Sequence, residues 1–114
     1  MTKHNPPEAE IVARSFTESG CQVTSVIYDP ADAQQILYGV VTRDGVLVGS
    51  YYCADRVRQC DWRIVTADGH EPTLDGTPVR PRDEGSAVIV LTTILTAPEH
   101  EIDQRLRDAT RPPR

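Results

Sequence analysis

Three Asp-Gly dipeptides, Asp44-Gly45, Asp68-Gly69 and Asp75-Gly76, punctuate the middle of the chain and constrain its fold more than any other feature. Asp-Gly readily supplies the positive backbone angles that a tight hairpin turn needs. The first dipeptide lies between two runs rich in β-branched and aromatic residues, 36–42 and 46–53, so the spacing predicts an antiparallel hairpin there. The other two fall among His70, Pro72, Pro78 and Pro81. Those prolines deny donors to a ladder, so the region is expected to form short edge strands or a flap after a strand over 61–67.

Around this hairpin region the chain divides into simple elements. Asn5 as a cap, Pro6, Glu8 and a terminating Gly20 predict a helix over 6–19, with Ala9, Val12, Ala13 and Phe16 as its apolar stripe. Residues 21–28 read as a strand closed by Asp29-Pro30, and the polar stretch 31–35 has room for one helical turn. Residues 86–96 form a nearly unbroken apolar run, which predicts a central strand buried on both faces. Pro98 opens a last helix with Ile102, Leu106 and Ala109 on one side, and 111–114 cannot continue it. The expected architecture is α+β: a mostly antiparallel sheet or half-open β-barrel of five to seven strands with an N-terminal and a C-terminal helix. At 114 residues the chain suits a single domain over 1–114, with 1–5 and 111–114 as flexible ends.

Composition narrows the function classes. A formal charge of -5 and the lack of a basic stripe argue against nucleic acid as a partner. No apolar run reaches the roughly 20 residues that span a bilayer, and the start lacks a secretory core. A cytoplasmic protein with no membrane insertion is expected, its three cysteines reduced. Lys3 is the only lysine, and the arginine, alanine and proline richness suits a GC-rich, actinobacterial-type genome.

Candidate chemistry is sparse. Cys53, Cys60 and His70 lack the spacing of a zinc knuckle, and no cofactor motif, dinucleotide fingerprint or Walker pattern is present, so neither metal nor cofactor is expected. Cys21, Cys53 or Cys60 with His70 or His100 would need the fold to assemble a nucleophile and base. The acid pairs Asp29 with Asp32 and Asp55 with Asp61 have ready structural uses in turns and caps. The aromatic residues say more. Adjacent Tyr51 and Tyr52 must point to opposite faces of a strand, and an outward tyrosine beside Trp62 suits a protein contact, with a cross-strand aromatic pair in the core as the alternative. Tyr28, Asp29, Asp32, Tyr51, Tyr52 and Trp62 are therefore the candidate binding residues.

The segment Val26-Ile27-Tyr28-Asp29-Pro30-Ala31-Asp32-Ala33, then a hairpin ending Tyr51-Tyr52-Cys53-Ala54-Asp55, resembles the SsgA-like proteins of actinomycetes. The chain departs from that pattern at Ala33, where the family has proline, and at 51–55, where it has Trp-x-Phe-Ala-Arg. The resemblance implies a whirly-like barrel with helices, homo-oligomeric, recruiting division or cell-wall machinery during sporulation without catalysis. With no catalytic motif assembled, an acidic surface and more sheet than two short helices can cover, the leading expectation is a non-enzymatic interaction or regulatory module that binds a protein partner or itself as a homo-oligomer. A small-molecule cyclase, isomerase or lyase in a half-open barrel, and an immunity or antitoxin protein using its acidic charge, remain open as alternatives.

Overall fold

The computed structural model describes residues 10–29 and 35–110. Five strands form one antiparallel sheet in sequence order: β1 (Glu10–Glu18), β2 (Cys21–Asp29), β3 (Gln35–Arg43), β4 (Val46–Asp55) and β5 (Cys60–Thr66). The sheet is an open meander, with β1 and β5 as its two edges. A two-strand hairpin follows, β6 (Thr73–Leu74) with β7 (Thr77–Pro78), and then α1 (Glu84–Ile89), a π-helical segment (Val90–Ile94) and α2 (Glu99–Thr110). The α+β class and the antiparallel pairing match the sequence reading, whereas closure toward a barrel does not occur. Among the described residues no helix is long and apolar enough to cross a membrane.

Turn chemistry sets the register. Asp44 and Gly45 have φ of 52° and 79°, the left-handed pair that a two-residue hairpin requires between β3 and β4. Ser19 and Gly20 repeat this geometry, with φ of 52° and 80°, between β1 and β2. That second turn overturns the helix expected over 6–19. Gly20 is a hairpin residue and not a helix exit, and β1 pairs with β2 along its whole length, Val12 opposite Ile27 and Phe16 opposite Val23. Pairing of each residue with a long neighbouring strand outweighs the local capping signals, as tertiary context does for weak propensities. Residues 1–9, with most of those signals, and the polar stretch 30–34 lie outside the described residues, as do the ends expected to be flexible.

The stretch expected as a central strand is helical from Glu84 to Ile94. Asp83 caps it, its side chain accepting from the Ser86 amide at 2.7 Å. Ala87, Val88, Leu91 and Ile94 then fall on one buried face at helical spacing, while Ile89 is half exposed. The threonines suit a helix because their hydroxyls donate back one turn: Thr92 to the Val88 carbonyl at 2.7 Å and Thr93 to the Ile89 carbonyl at 2.6 Å. Thr92 is thereby fully buried without an orphaned hydroxyl. The Leu95 amide bonds the Val90 carbonyl at 2.9 Å, the five-residue step of a π turn. In α2, Leu106 is buried and Ile102 half-buried as expected, but Ala109 faces outward.

All helical cover lies on one face of the sheet. Val23, Val41, Tyr51 and Ile64 from the strands meet Ala87, Leu91 and Ile94, and Leu106 of α2 completes the cluster. Two glycines permit the close fit. A Cβ on Gly49 would come 2.8 Å from Leu91 Cδ2, and one on Gly39 would clash with Tyr51 Cζ, because the end of that ring lies over Gly39. Replacing Gly39 by Ala therefore forces the ring to move. Gly39→Ala is expected to cost about 1–3 kcal/mol of stability, measured as a shift of the urea midpoint with unchanged far-ultraviolet dichroism.

Candidate functional site

One transverse row of the sheet carries a polar cluster. Through the ladder, Arg14 of β1 stands opposite Ser25 of β2, Ser25 opposite Gly39 of β3, Gly39 opposite Tyr51 of β4, and Tyr51 opposite Ile64 of β5. The side chains of this row point to the covered face, where Glu84, in the first turn of α1, descends on them. Tyr51 Oη donates to Glu84 Oε2 at 2.6 Å, and Ser25 Oγ donates to the same oxygen at 2.7 Å. Arg14 Nη2 donates to Oε1 at 2.7 Å. Ser25 and Tyr51 are fully buried, and the Glu84 side chain is 16% exposed. Gly39 leaves the space through which the Tyr51 ring reaches the carboxylate.

The electrostatics follow from this arrangement. Burial on its own drives the Glu84 carboxyl upward, but three donors that favour the charged form outweigh it and hold the group below its ordinary 4.5. Burial, reinforced by the carboxylate it bonds, pushes the Tyr51 hydroxyl well above its ordinary 10.0, so it stays a proton donor. Arg14 stacks its guanidinium 5.5 Å from the Phe16 ring centre, which holds it over the sheet edge. A shallow groove of about 260 Å³ runs beside Glu84, lined by Phe16, Glu18, Gly85, Val88 and Ile89. It is smaller than the roughly 300–1,000 Å³ of ordinary small-molecule sites, and both oxygens of the carboxylate at its wall already accept hydrogen bonds from within the chain.

The candidate binding residues separate onto the two faces. Tyr51 and Trp62 join the core, their ring centres 6.1 Å apart and tilted by 49°. Trp62 Nε1 donates to the Gln59 carbonyl at 3.1 Å. Tyr52 points the other way, 36% exposed, directly opposite Tyr38 of β3, itself 45% exposed. Tyr28 is half-buried on the same outward face, through its pairing with the outward Ile11. Asp29 ends β2, and Asp32 lies outside the described residues. Trp62 is thus not the neighbour of the outward tyrosine. Sequence reading missed Arg14, Ser25 and Glu84 altogether, because the cluster depends on a strand register and on a helix where a strand was expected.

Among the described residues no hydrogen bond joins a cysteine to a histidine. Cys53 is buried and its thiol donates to the Asp55 and Cys60 carbonyls at 3.0 and 3.1 Å, with burial pushing it up and keeping it protonated. Cys21 is buried, Cys60 exposed, and His70 and His100 are exposed. Asp55 accepts from the Arg58 amide and Asp61 pairs with Arg63, so these two serve a turn and a strand edge. Among the described residues no group of three metal-ligating side chains gathers.

Among the described residues, the fold and site define an antiparallel sheet whose covered face is pinned by a buried carboxylate and whose other face carries no helix. The chain matches no family model, no curated protein and no solved structure.

Linkage gives the pH response of the cluster. Because folding lowers the Glu84 pKa, its contribution is complete above 4.5 and is lost as the pH falls through the folded value. Because folding raises the Tyr51 pKa, its contribution is complete below 10.0 and declines as the pH rises beyond that. Glu84→Gln is expected to cost about 1–3 kcal/mol at neutral pH. It should also flatten part of the acid limb of melting temperature against pH, leaving the part due to Asp61, Asp75 and Asp83, whose carboxyls are likewise held low by Arg63, by Arg107 and by the Ser86 amide.

Proposed function

We propose that the chain is a non-enzymatic protein-interaction module whose docking surface is the uncovered face of the sheet. The composition of the uncovered face supports this reading. Along β1 to β4 the outward positions alternate with the core positions, and not one of them carries a charged side chain among the described residues. They hold instead Tyr38, Tyr52, Leu47 and Ile11, all substantially exposed, with Val26 and Val40 between them. In a chain whose residues are 25% charged, a water-facing sheet surface without charge is unusual. Depletion of charge with enrichment of tyrosine is the mark of the centre of a protein interface.

The titratable groups of the covered face support the same reading. Glu84 and Tyr51 are held in opposite protonation states by each other, and Arg14 and Ser25 complete the set. Such a cluster fixes α1 on the sheet; a general base needs a free lone pair aimed at substrate. The resemblance to SsgA-like proteins extends this proposal to division or sporulation machinery as the setting.

The experiment is capture by the immobilised chain from lysate of its own cell, with the native chain and Tyr52→Arg compared side by side. Native chain should retain a discrete protein, its own untagged copy included, and Tyr52→Arg should lose it while its dichroism is unchanged. Equal capture by both chains, or turnover of a small molecule abolished by Glu84→Gln, overturns the proposal.

A further inference from the structure

The bare face carries one more step, which rests on the reading of that face as a docking surface and names its occupant. We infer that two copies of this chain pack these faces together as an isologous β-sandwich, with Tyr38 and Tyr52 near the twofold axis.

Five strands of seven to ten residues, at about 4.8 Å spacing and about 3.4 Å rise per residue, give a face of roughly 700 Å². Two such faces bury roughly 1,400 Å², inside the about 1,200–2,000 Å² of stable specific interfaces. The chain carries -5 overall, so most surfaces of one copy repel another. The outward side of β1 to β4 carries no charge, and the charged pair on that side of the sheet, Asp61 with Arg63, belongs to the edge strand β5, with Arg63 directly opposite Tyr52 and neutralised by Asp61.

A twofold contact brings each patch against itself, and the Tyr38–Tyr52 pair lies on β3 and β4, inside the sheet. Two facing pairs there make an aromatic centre, while Thr24 and Ser50 flank it with hydroxyls suited to packing across about 10 Å. Joining the sheets edge to edge is disfavoured by β1 itself. Its Arg14 points to the covered face and is held by Glu84, an inward charge on an edge strand that discourages a further strand.

Sedimentation equilibrium of the full chain over a concentration series tests the inference. The native chain should show a reversible monomer–dimer equilibrium, and Tyr52→Arg should raise the dissociation constant by about 30-fold or more. His100→Arg adds the same charge on α2 and should leave the equilibrium unchanged. Tyr38→Arg provides a second variant should Tyr52→Arg fail to fold. Nitration of the native chain supplies a readout free of mutation, with Tyr38 and Tyr52 modified in dilute solution and protected when concentrated. A native chain monomeric at every concentration overturns the second copy as occupant, and leaves the docking reading standing if Tyr52→Arg still abolishes capture of another protein. A dimer that persists in both tyrosine variants, or without protection of the two rings, overturns the face-to-face arrangement.

Discussion

The Glu84 carboxylate is the point on which the covered face depends. A carboxylate so little exposed loses much of its hydration, and it is retained because Tyr51, Ser25 and Arg14 replace that water with three hydrogen bonds of 2.6 to 2.7 Å. Each donor comes from a different strand, so a single side chain of α1 fixes β1, β2 and β4 relative to the helix. Its place in the first helical turn adds a favourable interaction with the positive end of the helix. Removing one partner of such a set leaves buried polar groups unpaired, so the cluster acts as a unit.

The row beneath Glu84 shows how little freedom the sequence has there. Gly39 must lack a side chain so that Tyr51 can lie across β3, and Tyr51 reaches that way because Glu84 is held over Ser25 of β2 and Arg14 of β1. Gln59 performs a comparable service at the other end. Its side-chain amide bonds both the amide and the carbonyl of Ile36, at 3.0 and 3.4 Å, tying the β4–β5 turn to β3. The β6–β7 hairpin is anchored electrostatically, Asp75 accepting two hydrogen bonds from Arg107 of α2 at 2.7 and 2.9 Å.

What was legible in the sequence was local. Asp44-Gly45 announced its hairpin because two successive left-handed residues admit few alternatives, and Tyr51 next to Tyr52 announced two faces because strand geometry permits nothing else. Pro98 and the Ile102–Leu106 spacing announced α2 for equally local reasons. The two failures share one cause. Residues 86–96 are almost wholly apolar, so strand and helix periodicities both fit them, and the evidence that decides, Asp83 as cap and threonines bonding back one turn, is subtle. In β1 the helix-like spacing of Val12, Ala13 and Phe16 concealed an alternation in which Val12, Arg14 and Phe16 turn inward. Once both elements were misread, Arg14, Ser25 and Glu84 had no reason to be associated, since 59 residues separate Ser25 from its acceptor.

The partition of charge between the two sheet faces is the converse of the usual one. An antiparallel sheet with one solvated face ordinarily alternates apolar inward and polar or charged outward. Here Arg14 and Glu18 occupy inward positions at the β1 edge, while Ala13, Val26, Tyr38 and Tyr52 form a continuous row outward, ending at Arg63. Charges are otherwise placed at turns, on α2 and along the β6–β7 hairpin, where Arg80 pairs with Glu71. Nothing in strand geometry prevents a lysine or glutamate from standing where Tyr38 or Val40 stands, and either would be better hydrated there. Their absence from the outward positions of four consecutive strands is therefore a property of the surface and not of the backbone that carries it.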